Sequence, residues 1–212
     1  MIFSRRRPRV HALLALGVAV PILVSTLDAQ AVTRTAVFAG GCFWGIEAVF
    51  QHTRGVLAAV SGYAGGTTAN PSYEQVSDET TGHAESVRVT YDPAQVSYQQ
   101  LLEIFFAVHD PTELNRQGPD VGSSYRTAIF YANAEQRSVA EAYIAKLTAG
   151  KVFPRKIVTT LEALGKFYEA EGYHQHYLAR HLNQAYIVIN DLPKLAHLKR
   201  VFPSLWREDP TD

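Results

Sequence analysis

Cysteine is nearly missing from this chain, with one, Cys42, among 212 residues. A single thiol excludes an internal disulfide and any zinc site built on a cysteine pair. Neither sign of charge is in surplus, with 20 basic and 20 acidic residues, so the chain carries no basic field for nucleic acid. The apolar stretch over residues 12–24 is shorter than the ~20 residues of a membrane span, which excludes stable membrane insertion through it. Repeats, heptads and low-complexity tracts are missing too, and with them solenoid and coiled-coil architectures. No Gly-Lys-Ser/Thr follows the glycines at 62, 65 and 66, so they form no phosphate loop.

What is present begins with a leader. Arg5, Arg6, Arg7 and Arg9 form a basic segment, residues 12–24 are apolar, and Ala29-Gln30-Ala31 fits the small-x-small cleavage pattern of a secretory signal. We expect residues 1–31 to be removed, by the Sec or the twin-arginine route, leaving residues 32–212 as a single exported domain, placed in a bacterial periplasm and expected as a monomer. Loss of four arginines and Asp28 takes the formal net charge from zero to −3. In an exported protein, a thiol with no internal partner is expected to be reactive or to pair between molecules.

Cys42 sits in the run Ala39-Gly40-Gly41-Cys42-Phe43-Trp44-Gly45. Residues 35–39 read as a strand, and Phe43, Ile46, Val49 and Phe50 then recur at helical spacing. The sulfur therefore falls in the first turn of a helix after a glycine hinge, where unpaired amides favour a thiolate and are expected to lower its pKa. A buried, inert cysteine is the competing reading, since free Cys is among the most buried residue types.

The following elements alternate. Strands are predicted over residues 56–63 and 86–91, with a Gly- and Asn-rich loop at 65–71 between them. Ser97 with Gln100 forms a capping box, and Tyr98, Leu101, Leu102, Phe105 and Val108 share one helical face. Residues 109–124 read as a long polar loop, followed by a strand at 125–132, a helix at 134–147 and a strand at 157–161. This order predicts an α+β two-layer sandwich on a ferredoxin-like split βαβ core. Its sheet would be mixed or antiparallel with helices on one face, and an irregular C-terminal extension would wrap it.

Strand alternation puts Glu85 on the same face as Val87, Val89 and Tyr91. A carboxyl on an apolar face has a raised pKa and suits a general acid, unless it bends to water at the strand end. Asp110 and Asp120 lie in the long loop, and Asp120 precedes Tyr125 at the start of a strand, although the sequence alone favours a solvated turn there. Tyr73, after Asn70-Pro71-Ser72, is ambiguous. His174, His176 and His181 do not make a metal site, because no Cys pair or His-Glu-x-x-His pattern supports them.

Together, GCFWG at 41–45, GHAE at 82–85, DVGSSYR at 120–126 and YHQ at 173–175 resemble the A-type peptide methionine sulfoxide reductases over roughly residues 35–203. That resemblance implies Cys42 as the nucleophile toward a sulfoxide sulfur and Glu85 as proton donor to its oxygen. It implies Tyr73 and Tyr125 as hydroxyls binding that oxygen, Asp120 as an ordering carboxylate, and Phe43 and Trp44 as the wall for the S-methyl group. It further implies repair of methionine sulfoxide, free or in proteins, with preference for the S epimer and no metal or organic cofactor. Many members carry a second cysteine in the C-terminal tail. This chain has none, so a thioredoxin-like protein or a small thiol is the expected reductant. Gly172 stands where the family usually has an acidic residue. The competing thiol chemistries are a hydrolase or peroxidase with Cys42 activated by His83 or His109, and a non-enzymatic binding protein with a buried thiol.

Overall fold

A computed structural model describes residues 1–2 and 32–211. The leader read over residues 1–31 lies, apart from its first two residues, outside the described residues.

A continuous apolar run, Ala36-Val37-Phe38-Ala39, buried on both faces, builds the first strand, β1 (Arg34–Gly40), which leads into α1 (Phe43–Gln51) and β2 (Val56–Ala64). A short helix α2 (Tyr73–Ser77) precedes β3 (Ala84–Tyr91) and α3 (Tyr98–Val108). A small hairpin of β4 (Arg116–Gln117) and β5 (Asp120–Val121) runs into a 3-10 turn at Ser123–Tyr125 and then β6 (Thr127–Tyr131). Helix α4 (Ala134–Ala149), strands β7 (Thr160–Ala163) and β8 (Tyr168–Glu169), α5 (Tyr177–Arg180), a π-type turn at Ile187–Asp191 and α6 (Leu192–Val201) complete the chain.

The main sheet has the order β7-β6-β1-β3-β2-β8. Its four central strands are antiparallel, and β7 joins β6 in parallel. Strand β3 lies between β1 and β2, and β1 lies between β3 and β6, so each βαβ unit is split by a strand of the other. This is the expected α+β arrangement with a mixed sheet. On one sheet face Ala36, Phe38, Val87, Val89 and Tyr91 join the apolar residues of α1 and α3 in the larger core. Phe38 stacks on Phe105 and Phe50 with ring centroids 5.0 and 5.3 Å apart. The opposite face carries Val37, Ala39, Ala64, Ala84, Ala128 and Phe130 under Leu164 and Phe167.

Ser97 accepts from Gln100 N and closes the expected capping box of α3. Three readings are corrected. The loop at 109–124 contains the β4–β5 hairpin, whose two-residue strands are too short to show an alternation. Tyr125 lies in the 3-10 turn instead of opening a strand, and the strand expected at 157–161 begins at Thr160. The extension is less irregular than expected, since it holds the ten-residue α6. It does wrap the domain. Arg54 N donates to Leu205 O, Arg207 N to His52 O and Thr211 N to Gln51 O, fastening the last residues to the end of α1.

Gln175 joins the tail to the sheet. Its amide accepts from Ser61 N and donates to Ser61 O and Ala170 O, each at 3.0 Å, copying a strand pairing with a side chain. Gln175→Ala is expected to cost about 2–4 kcal/mol, the sum of three modest hydrogen bonds and a stranded backbone donor. Urea unfolding of the variant checks this, and a loss under about 1 kcal/mol would contradict it.

Candidate active site

Gly41 adopts φ +87°, and a Cβ there would stand 2.4 Å from the Cβ of Gln117. Only glycine permits that bend and approach. The bend makes Cys42 the N-cap of α1, one position earlier than the first turn proper. The sulfur-bearing residue is 7% exposed and borders a small cavity of about 90 Å³ with Gln117, Asp120, Tyr186, Asn190 and Lys194. A larger cavity, about 680 Å³, lies at the other end of β1 around Arg34, Tyr91 and Tyr98. It is not lined by Cys42, so volume does not locate the thiol here.

Glu85, on β3, is 3% exposed and faces the apolar side that strand alternation predicts. Its Oε2 accepts the Phe43 amide at 3.0 Å, which places the carboxyl at the N-terminus of α1 beside Cys42. Burial pushes its pKa up to about 8 against the pull of that amide, and Asp120 and Asp191 push the same way. The carboxyl is therefore largely protonated near neutral pH.

The electrostatics of Cys42 correct the sequence expectation. Burial raises its pKa well above the ordinary thiol value, with Glu85 and Asp191 adding to the rise, while the Trp44 amide and Lys194 oppose it. The helix end acts in the expected direction but is outweighed by desolvation and two carboxyls. In this state the sulfur is held as a thiol.

Tyr73 starts α2, where Ser72 and Gln75 form a capping box and the Tyr73 amide donates to Glu171 Oε1 at 2.9 Å. Burial and then the Glu85 carboxyl raise the pKa of Tyr73, and the same two causes raise that of Tyr125, with Cys42 also acting on both. Both hydroxyls stay protonated and available as donors. Asp120, half-buried on β5, accepts from the Tyr186 hydroxyl. Burial raises its pKa, while Tyr186 and Lys194 draw it back. Phe43 and Trp44 pack with ring centroids 6.5 Å apart, and neither borders the small cavity.

Several residues of the site escaped sequence reasoning. Tyr177 stacks on Trp44 at 3.8 Å, and Tyr186 meets it edge-on at 5.9 Å. His174 Nδ1 accepts Trp44 Nε1–H at 3.2 Å. Glu171 accepts from the Tyr63 hydroxyl at 2.8 Å as well as from Tyr73, so a carboxylate stands immediately before the family departure at Gly172. A Cβ on Gly172 would meet nothing within 4 Å. Buried Glu47 accepts from Ser61 Oγ, His176 N and Gln51 Nε2 at 3.0–3.1 Å, and burial lifts its pKa to about 7. The recurrence of Tyr and His from 173 to 177 was the available signal for the aromatic wall. Nothing local marks Glu47.

The histidine alternatives do not pair with the sulfur. His109 bonds Phe105 O at 2.6 Å and Thr127 Oγ1 at 2.8 Å, and burial lowers its pKa to about 4. His83 bonds the Gly66 amide and Thr68 O at 3.1 and 2.9 Å. Both ring nitrogens are engaged in each case, which leaves no base for a Cys–His pair. His174 and His176 turn to separate partners, Trp44 and Gln51. Among the described residues no group of three His, Cys, Asp or Glu is placed to hold a metal ion.

Residues 34–205 match the family model described as peptide methionine sulfoxide reductase. The chain is 53% identical over 179 residues to peptide methionine sulfoxide reductase MsrA 2 of Mesorhizobium japonicum, covering 84% of this chain and 92% of that protein. It is 51% identical over 172 residues to the MsrA of Deinococcus radiodurans, covering 81% and 84%. Among solved structures it is similar to methionine sulfoxide reductase A of Corynebacterium diphtheriae, with TM-score 0.65, 36% identity and coverage of 77% and 82%. Reduced Mxr1 of Saccharomyces cerevisiae gives TM-score 0.64 at 32% identity, covering 72% of this chain and 87% of Mxr1.

Proposed function

The chain belongs to the peptide methionine sulfoxide reductase family, and we propose that it reduces the S epimer of methionine sulfoxide, free or in proteins, on Cys42. The Cys42 sulfur attacks the sulfoxide sulfur while Glu85 gives its proton to the sulfoxide oxygen. The S–O bond of the substrate breaks, the protonated oxygen passes to the Cys42 sulfur as the transient bond between the two sulfurs opens, and the proton lost from the Cys42 thiol restores the Glu85 carboxyl. The products are methionine, reduced by two electrons, and a sulfenic acid on the oxidised cysteine. Tyr73 and Tyr125 hold the oxygen, Asp120 with Tyr186 orders the polar side, and Phe43 and Trp44 receive the S-methyl group.

An external thiol then attacks the sulfenic sulfur. Water leaves and a mixed disulfide forms, which a second thiol opens to restore Cys42. The donor must come from outside because the chain has no second cysteine. A thioredoxin-like protein or a small thiol fits this requirement, and the cycle uses no metal or organic cofactor. The basic, apolar and small-residue pattern of residues 1–31 supports export of the enzyme to a bacterial periplasm, acting there as a monomeric repair enzyme.

The observation that carries this reading is the buried, protonated Glu85 carboxyl at the helix end that bears Cys42. An oxide is a poor leaving group without a proton, and that carboxyl supplies one where the bond breaks. The test is dithiothreitol-dependent reduction of separated S and R epimers of a blocked methionine sulfoxide, with Cys42→Ser as control. Turnover of the S epimer alone, absent in the variant, is expected. No turnover of either epimer by the folded protein would overturn the reading and turn attention to peroxides and esters.

A further inference from the structure

Asp191 and Lys194 form an ion pair, Oδ1 to Nζ 2.8 Å, with the carboxylate fully buried and the lysine side chain 15% exposed. Asp191 Oδ2 has no hydrogen-bond partner among the described residues. A buried pair with an orphaned oxygen is a poor source of stability, because desolvation offsets most of the attraction. The pair packs on the first turn of α1. A Cβ on Gly45 would come within 2.2 Å of Asp191 Oδ1 and 2.9 Å of Lys194 Nζ. Gly45 follows Cys42 by three positions, which puts it on the same side of the helix. Lys194 also borders the cavity that Cys42 borders.

We propose that the Asp191–Lys194 pair sets the charge on the Cys42 sulfur, its ammonium end stabilising the thiolate and its carboxylate end opposing it. This rests on Cys42 being the nucleophile assigned above. Both are positioning residues that act through the sulfur. The other groups facing Cys42 do not duplicate the pair. Glu85 from β3 is held protonated near neutral pH, and Asp120 from β5 is tied to Tyr186. Tyr73, Tyr125 and Tyr186 all have raised pKa values and stay neutral. His109, behind Gly40, is neutral as well. Among the described residues Lys194 is thus the cation that acts on the sulfur, and Asp191 restrains it, joined by Glu85 once that carboxyl ionises above about pH 8. A glycine at 45 is required so that the pair can approach.

The rate of Cys42 alkylation by iodoacetamide, followed from pH 6 to 10 on the full chain, tests this. Asp191→Asn frees the ammonium and is expected to raise the rate at pH 7 about tenfold, equivalent to one pK unit. Lys194→Met is expected to lower it about tenfold, and Lys194→Arg to stay near wild type. Local damage would move the two neutralising variants in the same direction. A common direction, or changes within about twofold, would overturn the proposal. Should Lys194→Met not fold, the double variant Asp191→Asn with Lys194→Met replaces it. Its rate must fall back toward wild type, and a rate equal to that of Asp191→Asn overturns the proposal. Alkylation needs no sulfoxide, so wild-type turnover measured alongside separates failure of the reductase reading from failure of this one.

Discussion

Glu85→Gln is expected to lower kcat for sulfoxide reduction by about 10²–10⁴, the usual worth of a positioned general acid, and to make the folded protein more stable above pH 8. Glutamine keeps an oxygen for the Phe43 amide, so the hydrogen bond at 3.0 Å can persist, but it has no proton to give. In the wild type the donor is protonated below about pH 8, so the acid-dependent limb of activity falls as pH rises through that value. The variant should lack that limb. The stability effect follows from the same proton. The folded carboxyl, with a pKa near 8, holds a proton that the unfolded chain, with its ordinary value of 4.5, releases. The favourable contribution is complete below about 4.5 and is lost as pH rises through about 8. Glu47, lifted to about 7, adds to the loss in the same sense. Denaturant unfolding at pH 6 and pH 9 should show a larger drop for wild type than for Glu85→Gln. Equal drops would mean that the native carboxyl is already ionised.

Phe38→Ala is expected to cost about 3–5 kcal/mol, the range for removing a fully buried aromatic side chain. Phe38 is inaccessible to solvent and touches the rings of Phe50, Tyr98 and Phe105, so one side chain links β1, α1 and α3. Removing it leaves a cavity that three rigid elements cannot close by small shifts. Guanidinium unfolding measures the cost, and a value under about 2 kcal/mol would show that the core collapses into the space. The same strand runs four residues on into Cys42, so activity should fail on heating at the temperature where the core opens.

Short apolar runs bounded by turn residues made β1 and β2 legible in the sequence, alternation did so for β3, and helical spacing did so for α1 and α3, because each element carries enough apolar side chains to be buried in the core. The inward direction of Glu85 followed from alternation alone. The capping box of α2 was written in Ser72 and Gln75 but was hidden by the glycine- and asparagine-rich run before it. Strands β4, β5 and β8 are only two residues long, too short to show an alternation, and β8 is fixed by pairing with β2, far away in the chain. The same holds for Tyr186, Asp191 and Lys194. On the chain they look like ordinary tail residues, and only packing of the π-type turn and α6 against α1 brings them to the sulfur. The direction of the Cys42 pKa was missed for a related reason. A helix end is a local feature, whereas desolvation and the fields of Glu85 and Asp191 come from the completed fold.

The tail that is latched onto α1 by Arg54, Arg207 and Thr211 has a consequence for biogenesis. Synthesis delivers Cys42 early and the residues that surround it last. Until the final segment docks, the thiol belongs to an unfinished chain without its cavity, its ion pair or its aromatic wall, and behaves as any exposed cysteine open to random oxidation. A protein that meets an oxidising compartment during this interval depends on rapid closure of its own C-terminus. Repair capacity is therefore acquired at the end of folding, and release of those last residues by proteolysis would return the enzyme to the vulnerable state it repairs in others.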